Sequence, residues 1–129
     1  MANTVNKLNI VELSANAQST STRTGTGIDI QQYDGLAKII LMSGAASAGT
    51  TPTLDVKIQE SDAQGSGFAD LTGATFTQVT DAADSTEMIQ IDVSSTKRYI
   101  RVIGTIGGTA TPTFDFGVCM PCILFFWTE

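Results

Sequence analysis

The sequence predicts an all-β fold: one domain of about eight antiparallel strands, closed as a sandwich or a barrel. Three observations carry this. Apolar residues recur at every second position through most of the chain, and clusters of Gly, Ser, Thr and Asp break these runs at short intervals. No window of eleven or more residues has the i, i+3, i+4, i+7 apolar spacing of an amphipathic helix. With 129 residues, 42% of them hydrophobic, the chain suffices for a packed core; at this size roughly two-thirds of the unfolded surface is buried.

The elements follow in order. Residues 1–6 form an N-terminal arm, with the small-residue run Ala2, Asn3, Thr4, Val5 and Asn6 free to make contacts. A first strand covers residues 7–13. Leu8 and Ile10 share one parity while Val11 and Leu13 share the other, so a bulge or a change of partner is expected between them. Ile28-Asp29-Ile30-Gln31 alternates within a strand at 26–33. The strand at 35–43 is apolar at both parities except Lys38, which predicts a central or doubly covered position. Leu54-Asp55-Val56-Lys57-Ile58-Gln59 alternates without error within 53–60. A short extended piece at 68–71 and strands at 74–80, 87–93, 97–106 and 113–126 follow, the run at 97–106 containing a glycine at Gly104. Turn clusters occupy 14–27, 43–52, 61–67, 80–86, 94–96 and 107–112.

The last strand is unusual. From Phe114 the even positions (Phe114, Phe116, Val118, Met120, Cys122, Leu124, Phe126) are all apolar, as a core face requires. The odd positions begin Asp115, Gly117, Cys119 and turn apolar at Ile123, Phe125 and Trp127. Past Pro121 the strand is apolar on both sides. Such a tip is buried centrally in its own sandwich or against another protein, where aromatics dominate the binding energy.

Equipment for catalysis is sparse. The chain has no histidine, which removes Ser-His-Asp and Cys-His arrangements and the helix-borne zinc motifs. Thr24-Gly25-Thr26-Gly27 and Gly65-Ser66-Gly67 lack the lysine and the following helix of a phosphate loop and read as turns. The Asp62 loop offers too few alternating oxygen ligands for calcium. Cys119 and Cys122 sit three apart in an extended run, too far for a disulfide unless Pro121 bends the chain, and they make only half a zinc set. No catalytic residue, cofactor or metal is expected.

A net charge of −6 with seven basic residues argues against nucleic acid, and Lys97, Arg98 and Arg101 read as solvated strand positions. There is no secretory signal pattern and no apolar run long enough for a membrane. A sugar-binding module is the main competing class. Of the nine aromatics only Tyr33, Tyr99 and Trp127 are at positions open to stacking.

Three segments carry a resemblance to a known family: Leu54-Asp55-Val56-Lys57-Ile58-Gln59-Glu60-Ser61-Asp62, Phe68-Ala69-Asp70-Leu71-Thr72-Gly73-Ala74-Thr75-Phe76 and Lys97-Arg98-Tyr99-Ile100-Arg101-Val102. In this order they resemble the small decoration, or cement, proteins on the outside of tailed-bacteriophage capsids. The resemblance covers about two-thirds of the chain and matches a scaffold. It implies a jelly-roll-like antiparallel β-sandwich that forms trimers or dimers, binds the major capsid protein and resides on the virion surface after assembly in the host cytoplasm. The alternative is a glycan- or receptor-binding sandwich of a phage head or tail fibre. The Cys-Met-Pro-Cys segment and aromatic tail depart from the plain Val/Ala/Leu ending of such proteins. The resemblance names no contact residues; independently of it, the sequence offers as candidate subunit or capsid contacts Ala2, Asn3, Thr4, Val5, Asn6, Ile123, Phe125, Phe126 and Trp127.

Overall fold

The computed structural model describes the backbone of residues 3–33 and 35–128, and the side chains of residues 10–33 and 35–121. Its strands are β1 (Asn3–Ser19), β2 (Arg23–Thr24), β3 (Ile28–Asp29), β4 (Leu36–Ser43), β5 (Ala48–Ser61), β6 (Ala69–Thr75), β7 (Ser85–Asp92) and β8 (Tyr99–Thr128), with a 3-10 turn at Val93–Ser95. All pairing is antiparallel, and the fold is a jelly-roll-like β-sandwich.

β8 organises both layers. Its first half lies between β5 on one side and β2 and β3 on the other, with β6 beyond β5. Its second half lies between β4 and β1, with β7 beyond β4. The change of layer falls where the sequence predicts a turn, at 107–112. Pairing with β5 continues through this stretch, although Gly108, Ala110 and Thr111 have positive φ (110°, 60° and 55°) and the register shifts twice. A bulge that lets one strand leave one sheet and enter the next produces this geometry. The expected strands at 97–106 and 113–126 are thus one strand.

The core follows the predicted parities. Even positions of β8 face inward from Ile100 to Gly104 and again from Pro112 to Met120, with Ile100, Phe114, Phe116 and Met120 at 0% exposure. Ile39 and Leu41 of β4 meet Leu54, Val56 and Ile58 of β5 across the same core. Gly104 lies against the ring of Phe116, where a Cβ would collide with that ring.

Several expected boundaries move. β1 begins at Asn3, so residues 3–6 form no free arm, and it runs on to Ser19 through a predicted turn. Its register shifts lie at Glu12/Ser14 and Ser14/Ala17, later than the parity change at 10–11. The strand expected at 26–33 shrinks to the two residues of β3, while β2 falls inside the predicted turn at 14–27; between them the Gly25 N–H donates to the Val102 carbonyl (2.7 Å). β6 takes up the short piece at 68–71 and stops at Thr75. Beyond it, Phe76 bonds to Val56 and Val79 to Leu54, three residues against two, so the ladder slips by one residue there, and the outward Thr77 N–H donates to the Glu87 carboxylate (2.7 Å).

Candidate functional site

The antiparallel register of β1 and β8 brings the two sequence-predicted contact segments together. Asn3, Thr4, Val5 and Asn6 pair with Thr128, Trp127, Phe126 and Phe125, and Leu8 pairs with Ile123. Ala2 lies outside the described residues, as do the side chains of the other eight candidates. β4 leaves β8 at the Ile40–Cys119 pair, and from Val11–Met120 outward nine successive pairs join β1 and β8 alone. At about 3.4 Å per residue this two-stranded ribbon is roughly 30 Å long. A two-stranded ribbon is marginal in water by itself.

The second feature is the outward face of the sheet β7–β4–β8–β1. β4 is central in that sheet, as its composition predicts, but it is covered on one side only. Four large hydrophobics are exposed among the described residues: Ile10 (65%), Leu36 (66%), Met42 (58%) and Met88 (54%). All four belong to this face, where Met88 pairs with Ile40 and Ile40 with Cys119. A groove of about 200 Å³ runs between Ile10, Glu12, Ile40, Met42 and Cys119. The sequence signal for this face was the double-sided apolarity of residues 36–42, there read as burial. It marks an uncovered surface instead. Cys119 is a free, partly exposed thiol at its centre.

The basic residues of the 97–101 cluster have partners within the chain. Arg98 binds Asp29 (2.9 Å), Lys97 approaches Asp62 (3.6 Å), and Arg101 donates to Gln59 (2.8 Å) while stacking on Phe68. The hydrogen bond from Arg98 holds the Asp29 carboxyl below the usual carboxylate range, and Asp29 in turn raises the Arg98 guanidinium. Tyr33 corrects another expectation: it is only 8% exposed and forms no stacking platform, while Tyr99 is half-buried.

Arg23 was not singled out by sequence. It reaches across from β2 to donate to the Phe116 carbonyl (2.6 Å) and lies 3.8 Å from the Phe116 ring centroid. Burial lowers its pKa, opposed by the nearby charge of Asp115. Its position ties the two layers together and serves the fold.

No protein-family model matches the chain, and no curated protein matches its sequence. Solved structures do share its fold. The chain is similar to one described as the crystal structure of infectious bursal disease virus VP2 subviral particle, at TM-score 0.56 and 11% identity, covering 92% of this chain and 33% of that one. Structures of the Gx and Gt strains of the same virus match at TM-score 0.53 with 12% and 13% identity, each over 92% of this chain and 32% of the other. The chain therefore spans about a third of the length of the proteins it matches. At this identity the likeness is one of fold.

Proposed function

We propose that the chain is a virion structural protein, a capsid decoration or cement protein that associates with its own copies as a trimer or dimer and clamps the major capsid protein at the capsid surface. It works by surface contact, without catalysis or cofactor. The observation that carries the reading is the terminal ribbon: the two segments that the sequence offers as contact regions, 3–6 and 123–127, are brought together by the β1–β8 pairing of a jelly-roll-like fold. A narrow two-stranded ribbon whose sequence is rich in apolar and aromatic residues at 123–127 suits insertion between shell subunits, because aromatics contribute most to binding at such contacts.

The test is retention on empty capsid shells. The full chain co-sediments with purified shells, and a chain lacking residues 123–129 stays in the supernatant while retaining its β-rich circular dichroism. Retention undiminished by the truncation would remove the ribbon from the interface. Failure of the full chain to bind shells, with clear hits on a glycan array, would overturn the reading in favour of a glycan-binding module.

A further inference from the structure

We propose that β8, beyond the point where β4 leaves it, pairs edge to edge with the same strand of a second copy of this chain, antiparallel about a two-fold axis at Phe125. Two ribbons then form one sheet in the order β1–β8–β8–β1. The inference rests on the self-association part of the reading above and deepens it, and it is independent of shell binding.

The direction of the backbone groups on β8 leads there. The Gly44 N–H donates to the Asp115 carbonyl (3.0 Å), so Asp115 turns its main-chain groups toward β4. In an antiparallel strand both groups of a residue point the same way, and successive residues alternate. β4 pairs with β8 without a slip from Ser43–Phe116 to Ile40–Cys119, so the odd residues of β8 face β4. The next odd residue is Pro121, opposite Lys38 in the continued register. Proline has no N–H to donate, and the β4–β8 ladder stops just short of it. β1 bonds the even residues and runs past Pro121 in an unbroken register from Glu12–Cys119 to Asn3–Thr128. Beyond Pro121 the main-chain groups of Ile123, Phe125 and Trp127 therefore point away from β1, along an edge that no other described strand pairs.

This edge is unguarded. The outermost strands elsewhere each carry a charge (Lys7 and Glu12 in β1, Arg23 in β2, Asp29 in β3, Asp70 in β6, Glu87 in β7), the usual device against edge pairing. From Phe116 to Thr128 the sequence has no charged residue. Such an edge takes an extended segment by main-chain hydrogen bonding, and the same strand of a second copy fits it. A strand meets its own copy antiparallel about a two-fold axis, odd residues opposite odd residues, so each supplies the groups the other lacks. Each chain carries a net charge of −6, and this uncharged stretch is where two copies pair without like charges opposite each other. A two-stranded ribbon is marginal in water, whereas the joined sheet exceeds the three strands that independent stability needs. Pro121 sets the register. Centred on Phe125, residue 123 faces residue 127 of the second copy and residue 125 faces its own counterpart, making about six main-chain hydrogen bonds. Centred one residue earlier, Pro121 would fall into a bonded pair and forfeit one of them.

Sedimentation equilibrium of the full chain between about 1 and 100 μM, with amide hydrogen exchange read by NMR over the same range, tests this. The wild type is expected as a concentration-dependent dimer. The amides of residues 124 and 126, bonded to β1, are expected to be protected at every concentration, and those of residues 123, 125 and 127 only as the dimer forms. Phe125→Pro removes an outward N–H and leaves the β1 ladder its donors, as an edge proline does. It is expected to raise the dissociation constant at least about tenfold, since it deletes one bond on each side of the axis. Phe125→Leu keeps the N–H and is expected to dimerise more tightly than Phe125→Pro. A wild type that is monomeric at the highest concentration, odd-numbered amides whose exchange ignores concentration, or a Phe125→Pro dimer as tight as the wild type overturns the proposal; the exchange data on the wild type decide it even if that variant fails to fold. Shell sedimentation run in parallel separates the two readings. A wild-type dimer with concentration-dependent odd amides that shells do not retain supports this pairing and overturns shell binding. A monomeric wild type that shells retain overturns the pairing and gives the free edge to the capsid protein.

Discussion

Gly104 offers a sharp test of how the two layers fit. A Cβ placed on it would lie 2.6 Å from Cζ and 2.9 Å from Cε2 of Phe116, and 3.5 Å from Cδ1 of Leu54. Phe116 is fully buried, and its ring carries the Arg23 guanidinium at 3.8 Å, so the ring cannot swing aside without giving up that stack. The backbone of Gly104 has no positive φ, so the substitution is a test of space alone. With room to spare, Gly104→Ala would stabilise by about 0.4–1 kcal/mol through the unfolded chain. Overpacking instead costs about 1–3 kcal/mol. The expected sign is therefore destabilising, a fall of roughly 4–12 °C in melting temperature at about 4 °C per kcal/mol for a chain of this size. Urea unfolding followed by circular dichroism measures it directly. Phe116→Leu, itself destabilising, should relieve the clash, so the double variant loses less than the two single losses together, by about 0.5–3 kcal/mol. A Gly104→Ala chain as stable as the wild type, or strict additivity with Phe116→Leu, would refute the packing argument.

Two further predictions follow from the polar contacts. Arg23→Met keeps the apolar stem but removes the bond to the Phe116 carbonyl and the ring stack. It should lower stability by about 1–2 kcal/mol, read as a shift in urea midpoint; an unchanged midpoint would show that the arginine ties nothing together. Acid should weaken the fold through Asp29 and Asp70, whose carboxyls are held below their ordinary range, Asp29 first by its hydrogen bond from Arg98 and Asp70 first by that from Gln59 and then by Lys57. Because the folded values are the lower ones, their contribution is complete above the unfolded value of about 3.9 and disappears as pH falls through the folded values. The urea midpoint should hold between pH 7 and 5 and drop below about 4, with the drop blunted in the Asp29→Asn, Asp70→Asn double variant. Both groups are exposed, so the effect is small; an acid limb identical in the double variant would assign the drop to other carboxylates.

How much of this was legible in the sequence depends on range. The strands at Leu36–Ser43 and Ser85–Asp92 match the expected spans closely, because alternation is a local property and both strands lie straight within one layer. The ends of β1 were misplaced because polar residues such as Asn3, Thr4 and Gln18 are held in strand by their partners on β8, not by their own preference. Residues 74–80 have a strand-like pattern, yet the pairing slips by one residue between Phe76–Val56 and Val79–Leu54, and Thr77 turns to Glu87. The matched basics illustrate the same limit: Arg98 and Asp29 are sixty-nine positions apart, and only the pairing of β3 with β8 makes them neighbours.

The alternation of the chain by itself determined the all-β class and the identity of the core face, since burial on one side of a pleated strand imposes a period of two. It also marked the apolar C-terminal tip. Tertiary structure decided what those faces meet. It joined two expected strands into β8 through a bulge, paired residues 3–6 with 125–128, and left the outer side of β4 in water. Apolarity on both sides of a strand records that two faces need cover, and the local pattern does not say whether the cover comes from the same chain or from another. Which strand lies next to which is fixed by contacts distant in sequence, and the uncovered face is seen only once they are made.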